Sequence, residues 1–278
     1  MKEIKPQVLN DFYSYLQTGK LNKKTGGNLS AKTILEHHRL ISTVLAQALK
    51  EGLVNFNAAT RAEPPKQERK QANFFELEDI ENIKKFIKCE PLKRQVLLHI
   101  FMITGARRGE IAGLKWESIN FEKKTIHIKN TILYNSDVGV YETTPKTAES
   151  DRVIAIPKFT VDLLKRYREW QKDQISYFAG YYIDRGYVFA RDDGQPIHPD
   201  SITHYFSVFS KKYGLKHCNP HAFRHTMASI LFEEGADEVS VSERLGHAQV
   251  STTANVYAHM LAKSDLRNAE ILEDIFKE

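Results

Sequence analysis

A stretch without hydrophobic periodicity divides the chain at residues 60–73. It contains Pro64, Pro65 and six charged residues, a composition typical of an extended linker. A chain of 278 residues with 41% hydrophobic content can bury one or two ordinary cores. We therefore predict two domains, at residues 1–60 and 74–278, joined by a linker at residues 61–73.

The first of these segments has helical periodicity. Apolar residues recur at helical spacing in residues 5–16, and a Gly- and Lys-rich loop follows at residues 18–28. A longer helix is predicted to begin after Ser30, a good N-cap residue, and to end at Gly52. The apolar stripes of the two helices, which we expect to be buried, comprise Val8, Leu9, Phe12, Leu16, Ile34, Ile41, Val44, Leu45, Ala48 and Leu49.

The second segment combines helices with short strands. Helical patterns cover residues 77–87 and 94–103 and return after Pro157, with a loop at about residues 185–199. Alternating apolar residues predict strands at residues 125–129 and 152–157, with a third candidate at residues 140–146 that turns at residues 148–151. The chain is therefore predicted to be mainly α, with one small antiparallel β-sheet of three strands.

Composition argues against several kinds of protein. The chain has no run of about 18 apolar residues, and its first residues lack a segment of the signal-peptide type. Its two cysteines, Cys89 and Cys218, do not form a C-x-x-C pair, so neither a disulfide framework nor a zinc site is indicated. We expect a soluble, cytoplasmic protein without a metal.

Basic residues are concentrated in the first part of the chain. Residues 1–72 contain 12 Lys and Arg against 6 Asp and Glu, whereas residues 73–278 contain 28 against 29. Such a distribution suits a DNA-binding segment attached to a catalytic body, because Lys and Arg neutralise phosphates. A solvated basic surface explains the same counts equally well.

Two polar motifs stand near the C-terminal end. His221 and Arg224 lie three residues apart, on one face of a helix that Pro220 helps to start, and this polar face is predicted to be functional. Arginine can hold two phosphate oxygens, and imidazole titrates near working pH. Downstream, His247 follows a glycine that can end a helix, and Tyr257 comes ten residues later. A phenol in cationic surroundings can act as a nucleophile toward a phosphodiester.

Two further motifs lie upstream. Arg107 is predicted in the first turn of a helix capped by Thr104 or Gly105, with Glu110 three residues on and able to orient it. Lys146 lies near the predicted hairpin turn, where its flexible side chain could donate a proton. The alternatives to these assignments are the neighbouring Arg108 for the first motif, and Lys124 and Lys129 for the second.

These four motifs, in this order, resemble the tyrosine recombinases, the family of phage and transposon integrases. The resemblance implies that Tyr257 forms a 3′-phosphotyrosyl bond with one DNA strand and that strands are exchanged through a Holliday junction, without ATP, metal or another cofactor. It selects Arg107 over Arg108 and gives Lys146 the role of general acid. Although His225 matches the family's usual second histidine, we expect it to be structural. The implied catalytic residues are Arg107, Lys146, His221, Arg224, His247 and Tyr257, supported by Glu110.

The resemblance also implies an architecture and partners. Residues 1–60 are similar to part of a helical core-binding domain, which is truncated or reduced at its N-terminal end, and the two domains would close around duplex DNA as a C-shaped clamp. Its expected DNA contacts are Lys23, Lys24, Lys32, His37, His38 and Arg39. The apolar stripe in the tail, residues 264–278, could fold back onto its own domain. The resemblance favours docking on a neighbouring copy in a tetramer. A bacterial mobile element, an excisionase and a DNA-bending protein complete the expected context.

Two other functions share this fold. One is a DNA-binding regulator without chemistry, which the presence of every catalytic residue type disfavours. The other is a relaxing topoisomerase that uses the same tyrosine chemistry without exchanging partners. The integrase-like form of the motifs disfavours the topoisomerase.

Overall fold

The structure is a computed structural model that describes residues 4–67, 75–144, 150–178, 180–215 and 218–246. The chain forms two compact units, residues 1–71 and residues 72–278. The predicted linker bounds, residues 61–73, stay a prediction. Ala62 is nevertheless buried in the core of the first unit, and residues 68–74 lie outside the described residues.

The first unit is built from two helices, α1 (Pro6–Thr18) and α2 (Ala31–Lys50), and a short 3-10 helix, Ala58–Arg61. The predicted cap is confirmed, because the side chain of Ser30 accepts a hydrogen bond from the backbone N–H of Thr33 at 3.2 Å. The core of the unit consists of Leu9, Tyr13, Leu16, Ile34, Leu45, Ala58, Ala59 and Ala62.

The predicted apolar stripes are only partly buried. On α1 the buried face is formed by Leu9, Tyr13 and Leu16, whereas Val8 and Phe12 are exposed. Tyr13 can be buried because its hydroxyl is hydrogen-bonded to Nδ1 of His38 at 2.8 Å.

The same correction applies to α2, where Val44 and Leu49 are exposed. Within this unit α2 packs against α1 and the short 3-10 helix. These two partners cover a narrower strip of α2 than its apolar residues span.

The second unit contains seven α-helices among its described residues. Their bounds are α3 (Leu77–Ile87), α4 (Leu92–Thr104), α5 (Arg108–Ala112), α6 (Lys158–Tyr177), α7 (Pro199–Lys212), α8 (Pro220–Glu233) and α9 (Glu238–Leu245). The helix predicted at residues 77–87 is confirmed, and the one predicted at residues 94–103 lies within α4. Helix α4 is central to the core and packs against α3, α6 and α8. In the described part of the chain, no helix combines the length and apolar content that crossing a bilayer requires.

Among the residues that the structure describes, five short strands form two separate antiparallel sheets. Strands β1 (Ile119–Asn120), β2 (Thr125–Ile128) and β5 (Arg152–Ala155) make a sheet in the order β1-β2-β5, and β3 (Thr131–Asn135) pairs with β4 (Gly139–Thr143). The prediction of one sheet was therefore wrong in its pairing. The strand expected at residues 140–146 pairs with β3, because the turn at residues 136–138, with Gly139 at φ +81°, folds it back onto the preceding segment.

Candidate active site

Arg107 occupies the junction between α4 and α5. Gly105 ends α4 in left-handed geometry, with φ +58°, and a Cβ at this position would collide with Met227. The prediction that Arg107 lies in the first turn of a longer helix was wrong. Arg107 is the N-cap residue of α5, a helix of only five residues, and its backbone N–H donates to Oε2 of Glu110 at 2.9 Å.

Glu110 is the carboxylate that holds this junction together, and it is only 3% exposed. Its Oε1 accepts from Nη1 of Arg107 at 2.8 Å, and its Oε2 accepts from Nη2 of Arg152 at 2.9 Å. Burial alone would raise the pKa of Glu110, but the hydrogen bonds and charge of Arg152, followed by the bonds from Arg107, lower it below its ordinary value. The carboxylate therefore stays ionised at neutral pH, and it fixes the guanidinium of Arg107.

Arg224 approaches the same place from α8. This helix begins at Pro220, as predicted, and the side chain of Asn219 caps it by accepting from the N–H of Ala222 at 2.9 Å. Although it lies on the polar face of α8, Arg224 is only 5% exposed, because α8 is packed on nearly all sides. Its guanidinium donates to the carbonyl oxygens of Gly105 and Leu245, both at 2.7 Å.

The end of α9 brings the two arginines together. Gly246 ends this helix in left-handed geometry, with φ +67°, as the sequence predicted. Its carbonyl oxygen accepts from Nη2 of Arg107 at 3.0 Å, while the preceding carbonyl, that of Leu245, accepts from Arg224. Consecutive Cα atoms are about 3.8 Å apart. Two guanidinium groups from distant parts of the sequence are therefore bonded to adjacent residues at the end of α9.

His221 lies one helical turn before Arg224 and is exposed. Its pKa is lowered by partial burial of the ring and then by the positive charges of Arg224, Arg108 and Arg107. His225 has its pKa lowered to about 4 by burial, followed by the charges of His221 and Arg224. Both imidazoles are therefore neutral near pH 7, and a neutral imidazole can accept a proton.

Replacing Arg108 with glutamine should raise the pKa of His221. Arg108 is one of the three arginines whose charges lower this pKa, and its loss would also leave Asp200, its partner at 2.7 Å, without that counter-charge. The pKa can be measured by an NMR titration of the His221 ring, assigned with a His221→Gln variant. An Arg191→Gln variant is the control, because Arg191 pairs with Asp193 and is not among the charges that act on His221. An unchanged titration of His221 in Arg108→Gln would contradict this electrostatic account.

Three predicted catalytic residues, Lys146, His247 and Tyr257, lie outside the described residues, as does the tail at residues 264–278. The structure therefore brings together Arg107, Glu110, His221 and Arg224. Of the two alternatives to Lys146, Lys129 forms an ion pair with Glu117 at 3.0 Å, and Lys124 is exposed with φ +53°.

The residues expected to contact DNA in the first unit are in different environments. Lys23 and Lys24 are exposed, and so is Lys32 at the start of α2. Arg39 is also exposed and forms an ion pair with Glu36 at 2.6 Å.

The two histidines of this group are engaged within the first unit. Nδ1 of His37 is hydrogen-bonded to the carbonyl oxygen of Thr33 at 2.7 Å, and Nδ1 of His38 is hydrogen-bonded to Tyr13.

Sequence reasoning missed the part that Arg152 plays in this site. Arg152 is only 8% exposed, and it lies on the buried face of β5 together with Ile154. The signal that could have revealed this role is the two-residue period of the strand, which places Arg152 on the same face as a buried isoleucine. An arginine at such a position requires a buried counter-charge, and Glu110 supplies it.

A helical unit that fixes two arginines at one site suits an enzyme that acts on phosphate esters, and comparison with known proteins identifies its family. Residues 73–264 match the Phage integrase family, and residues 1–63 match the Phage integrase SAM-like domain. The chain therefore belongs to the phage integrase family, whose members are tyrosine recombinases. It is a site-specific DNA recombinase of the kind found in mobile elements.

Relatives agree with this assignment, and a solved structure shows the same fold. The chain is 32% identical over 272 residues to a XerC-like tyrosine recombinase of Caldanaerobacter subterraneus subsp. tengcongensis, covering 92% of this chain and 69% of the relative. It is 26% identical to the ICEBs1 integrase of Bacillus subtilis, covering 99% and 72%. A Tn1549 transposon integrase in complex with transposon right end DNA superposes with a TM-score of 0.79 at 24% identity, covering 98% and 86%. The predicted fold class, mainly α with a small antiparallel β-sheet, is confirmed, except that the strands are divided between two sheets.

Proposed function

We propose that this recombinase cleaves and rejoins duplex DNA at the ends of a bacterial mobile element through Tyr257. The phenolate oxygen attacks the scissile phosphorus, a 3′-phosphotyrosyl bond forms, and the bond from phosphorus to the 5′ oxygen breaks. Lys146 gives a proton to the departing 5′ oxygen. A 5′ hydroxyl of a partner duplex then attacks the phosphotyrosyl bond and releases Tyr257. The energy of the broken ester is kept in the covalent intermediate, so the scheme uses neither a nucleotide nor a metal.

The observation that carries this proposal is the pair of guanidinium groups on consecutive carbonyl oxygens. Arg107 and Arg224 are held by the carbonyls of Gly246 and Leu245, directly before His247 in the sequence. The side chain of Arg107 is 40% exposed and its guanidinium is fixed by Glu110, so it is accessible to a phosphate from solvent. Two fixed, permanently charged groups can stabilise the charge that develops on a pentavalent phosphorus.

The remaining residues have roles that follow from this arrangement. The lowered pKa of His221 suits it to accept the proton of Tyr257 at neutral pH. His247 is proposed to donate a hydrogen bond to a phosphate oxygen. In the first unit the exposed Lys23, Lys24 and Lys32 are proposed to contact DNA phosphates.

Recombination joins strands from two duplexes, so the acting species is proposed to be a tetramer of this chain. The apolar spacing of Leu266, Ile271, Ile275 and Phe276 in the tail supports docking on a neighbouring copy. An excisionase and a DNA-bending protein are proposed as accessory partners.

Covalent trapping tests the proposal and finds the target sequence in the same experiment. Tagged protein is incubated with lightly nicked genomic fragments from the source organism, since a nick next to the cleavage site lets the 5′ product diffuse away. Protein–DNA adducts are captured under denaturing conditions, the DNA is sequenced, and the modified peptide is identified by mass spectrometry. We expect one recurrent DNA sequence attached to Tyr257.

The captured DNA sequence also serves to distinguish a recombinase from a relaxing topoisomerase. The recombinase joins the cleaved strand to a second duplex, whereas a relaxing enzyme reseals only the original one. No adduct, an adduct on a different tyrosine, or resealing without transfer would each overturn the proposal.

A further inference from the structure

We infer that Arg152 is a positioning residue that sets the geometry of the two catalytic arginines. This inference rests on the proposed function, in which Arg107 and Arg224 bind the scissile phosphate. Arg152 does not need to touch DNA for this role, because it acts through Glu110 and through the end of α9.

The contacts of Arg152 reach three segments of the site. Its Nη2 donates to Oε2 of Glu110 at 2.9 Å, and Glu110 holds Arg107. Its Nε donates to the carbonyl of Arg244 at 2.8 Å, next to Leu245 in the sequence. Its Nη1 donates to the carbonyl of Ser150 at 3.2 Å, at the start of the described segment that follows residues 145–149.

These contacts fix the two supports of the arginine pair relative to each other. Glu110 determines where the guanidinium of Arg107 lies, and the end of α9 supplies the carbonyls of Leu245 and Gly246. Arg152 is bonded to both supports through one planar group, so a shift of either support strains a bond to the other. Strand β5 anchors this group, because Arg152 is paired with Ile128 of β2.

A second arginine extends the same connection. Arg244 donates from Nη2 to the carbonyl of Ile103 in α4 at 2.7 Å and to that of Ala155 in β5 at 3.2 Å. The end of α9 is therefore tied to the sheet by Arg152 and to both the sheet and α4 by Arg244. Hydrogen bonds from three arginines, Arg107, Arg152 and Arg224, thus converge on Glu110 and the end of α9, and Arg244 connects that end to α4 and β5.

Burial shows why arginine is required at this position. A buried ion pair is expensive to desolvate, so its contribution to stability is small unless geometry and hydrogen bonding are good. Arg152 uses three nitrogens in three directions, which the single ammonium of a lysine cannot reproduce. This three-way geometry is what a positioning role demands.

A comparison of two substrates tests the inference. The duplex recovered by covalent trapping is prepared in two forms, one with an ordinary scissile phosphate and one with a methylphosphonate at that position. The methylphosphonate is neutral, so its cleavage depends less on two paired cations. Single-turnover cleavage is measured for wild type, Arg152→Met and Arg152→Lys. Because misplacement of catalytic groups by about 1 Å can cost about 10²-fold in rate, we expect Arg152→Met to lose about that factor on the phosphate and much less on the methylphosphonate. Arg152→Lys should recover only part of the lost cleavage rate on the phosphate. Both variants should bind DNA with the affinity of wild type.

An Arg94→Met variant is the matched control for lost stability. Arg94 is a partly buried arginine of the same unit that lies over the ring of Tyr205 at 4.1 Å. It stands ten residues before the end of α4, or about 15 Å along the helix. Arg94→Met should lower thermal stability and leave the ratio of the two cleavage rates at the wild-type value.

The outcomes distinguish this inference from the function on which it rests. Equal losses on both substrates in Arg152→Met, or wild-type cleavage of the phosphate, would refute the positioning role alone. Wild-type protein that cleaves neither substrate would refute the proposed function instead.

Discussion

Replacing Arg224 with lysine should lower the single-turnover rate of DNA cleavage by about 10³-fold, the upper cost of removing one preorganised transition-state donor. Arg224 is buried, and its guanidinium is fixed by two carbonyl oxygens at 2.7 Å, those of Gly105 and Leu245. Lysine keeps the charge but concentrates it on one nitrogen, which cannot hold both carbonyls and also face a phosphate. The rate is measured on the trapped duplex with saturating protein, so that binding does not limit it.

Chemical rescue provides the control for this substitution. An Arg224→Ala variant leaves a cavity next to the carbonyls of Gly105 and Leu245, and added guanidinium ion, well below denaturing concentrations, should restore part of the cleavage rate. Ammonium ion at the same concentration should not, because it lacks the planar fork. Near-wild-type cleavage by Arg224→Lys would show that the planar guanidinium is not needed.

The helices could largely be predicted from the sequence, whereas the pairing of the strands could not. Helix α3 has the predicted bounds because its apolar period is strong and local, and Glu76 and Asp79 form a capping box at its start. Strand pairing depends on which segment lies alongside. The turn that ends at Gly139 pairs β4 with β3, and apolar alternation within one strand contains no information about its neighbour.

Sequence analysis selected two arginines that the structure places at one site, but it did not specify the contacts that hold them there. The order of the motifs selected Arg107 and Arg224 from the 40 Lys and Arg of the chain. That both would be held by the carbonyls of Leu245 and Gly246 depends on the way α9 ends against α4 and α8, which no local pattern specifies. The burial of Arg224 was missed for the same reason, because the surroundings of α8 come from distant parts of the chain.

Replacing Glu110 with glutamine should destabilise the second unit by about 3–5 kcal/mol, the usual cost of removing one partner of a buried ion pair, and slow cleavage as well. Glutamine has nearly the same volume, but its amide nitrogen would face a donor of Arg107 or Arg152 where a carboxylate oxygen now accepts. The guanidinium of Arg152 would be left buried without a counter-charge. Unfolding can be followed by tryptophan fluorescence, since Trp116 and Trp170, the two tryptophans of the chain, both belong to this unit.

The pH dependence of the unfolding free energy distinguishes a contribution of the Glu110 ion pair from a contribution of packing alone. The pKa of Glu110 is lowered in the folded protein, so its contribution to stability is complete above the unfolded pKa of about 4.3 and is lost as pH falls through the folded value. The difference in unfolding free energy between wild type and Glu110→Gln should therefore shrink below about pH 4. Glu90→Gln is the matched control, because Glu90 is a buried carboxylate bonded to Tyr205, Lys212 and Tyr213. The Glu90→Gln variant should lose stability and keep its cleavage rate. If Glu110→Gln cleaves DNA as fast as this control, Glu110 does not hold Arg107 in its catalytic geometry.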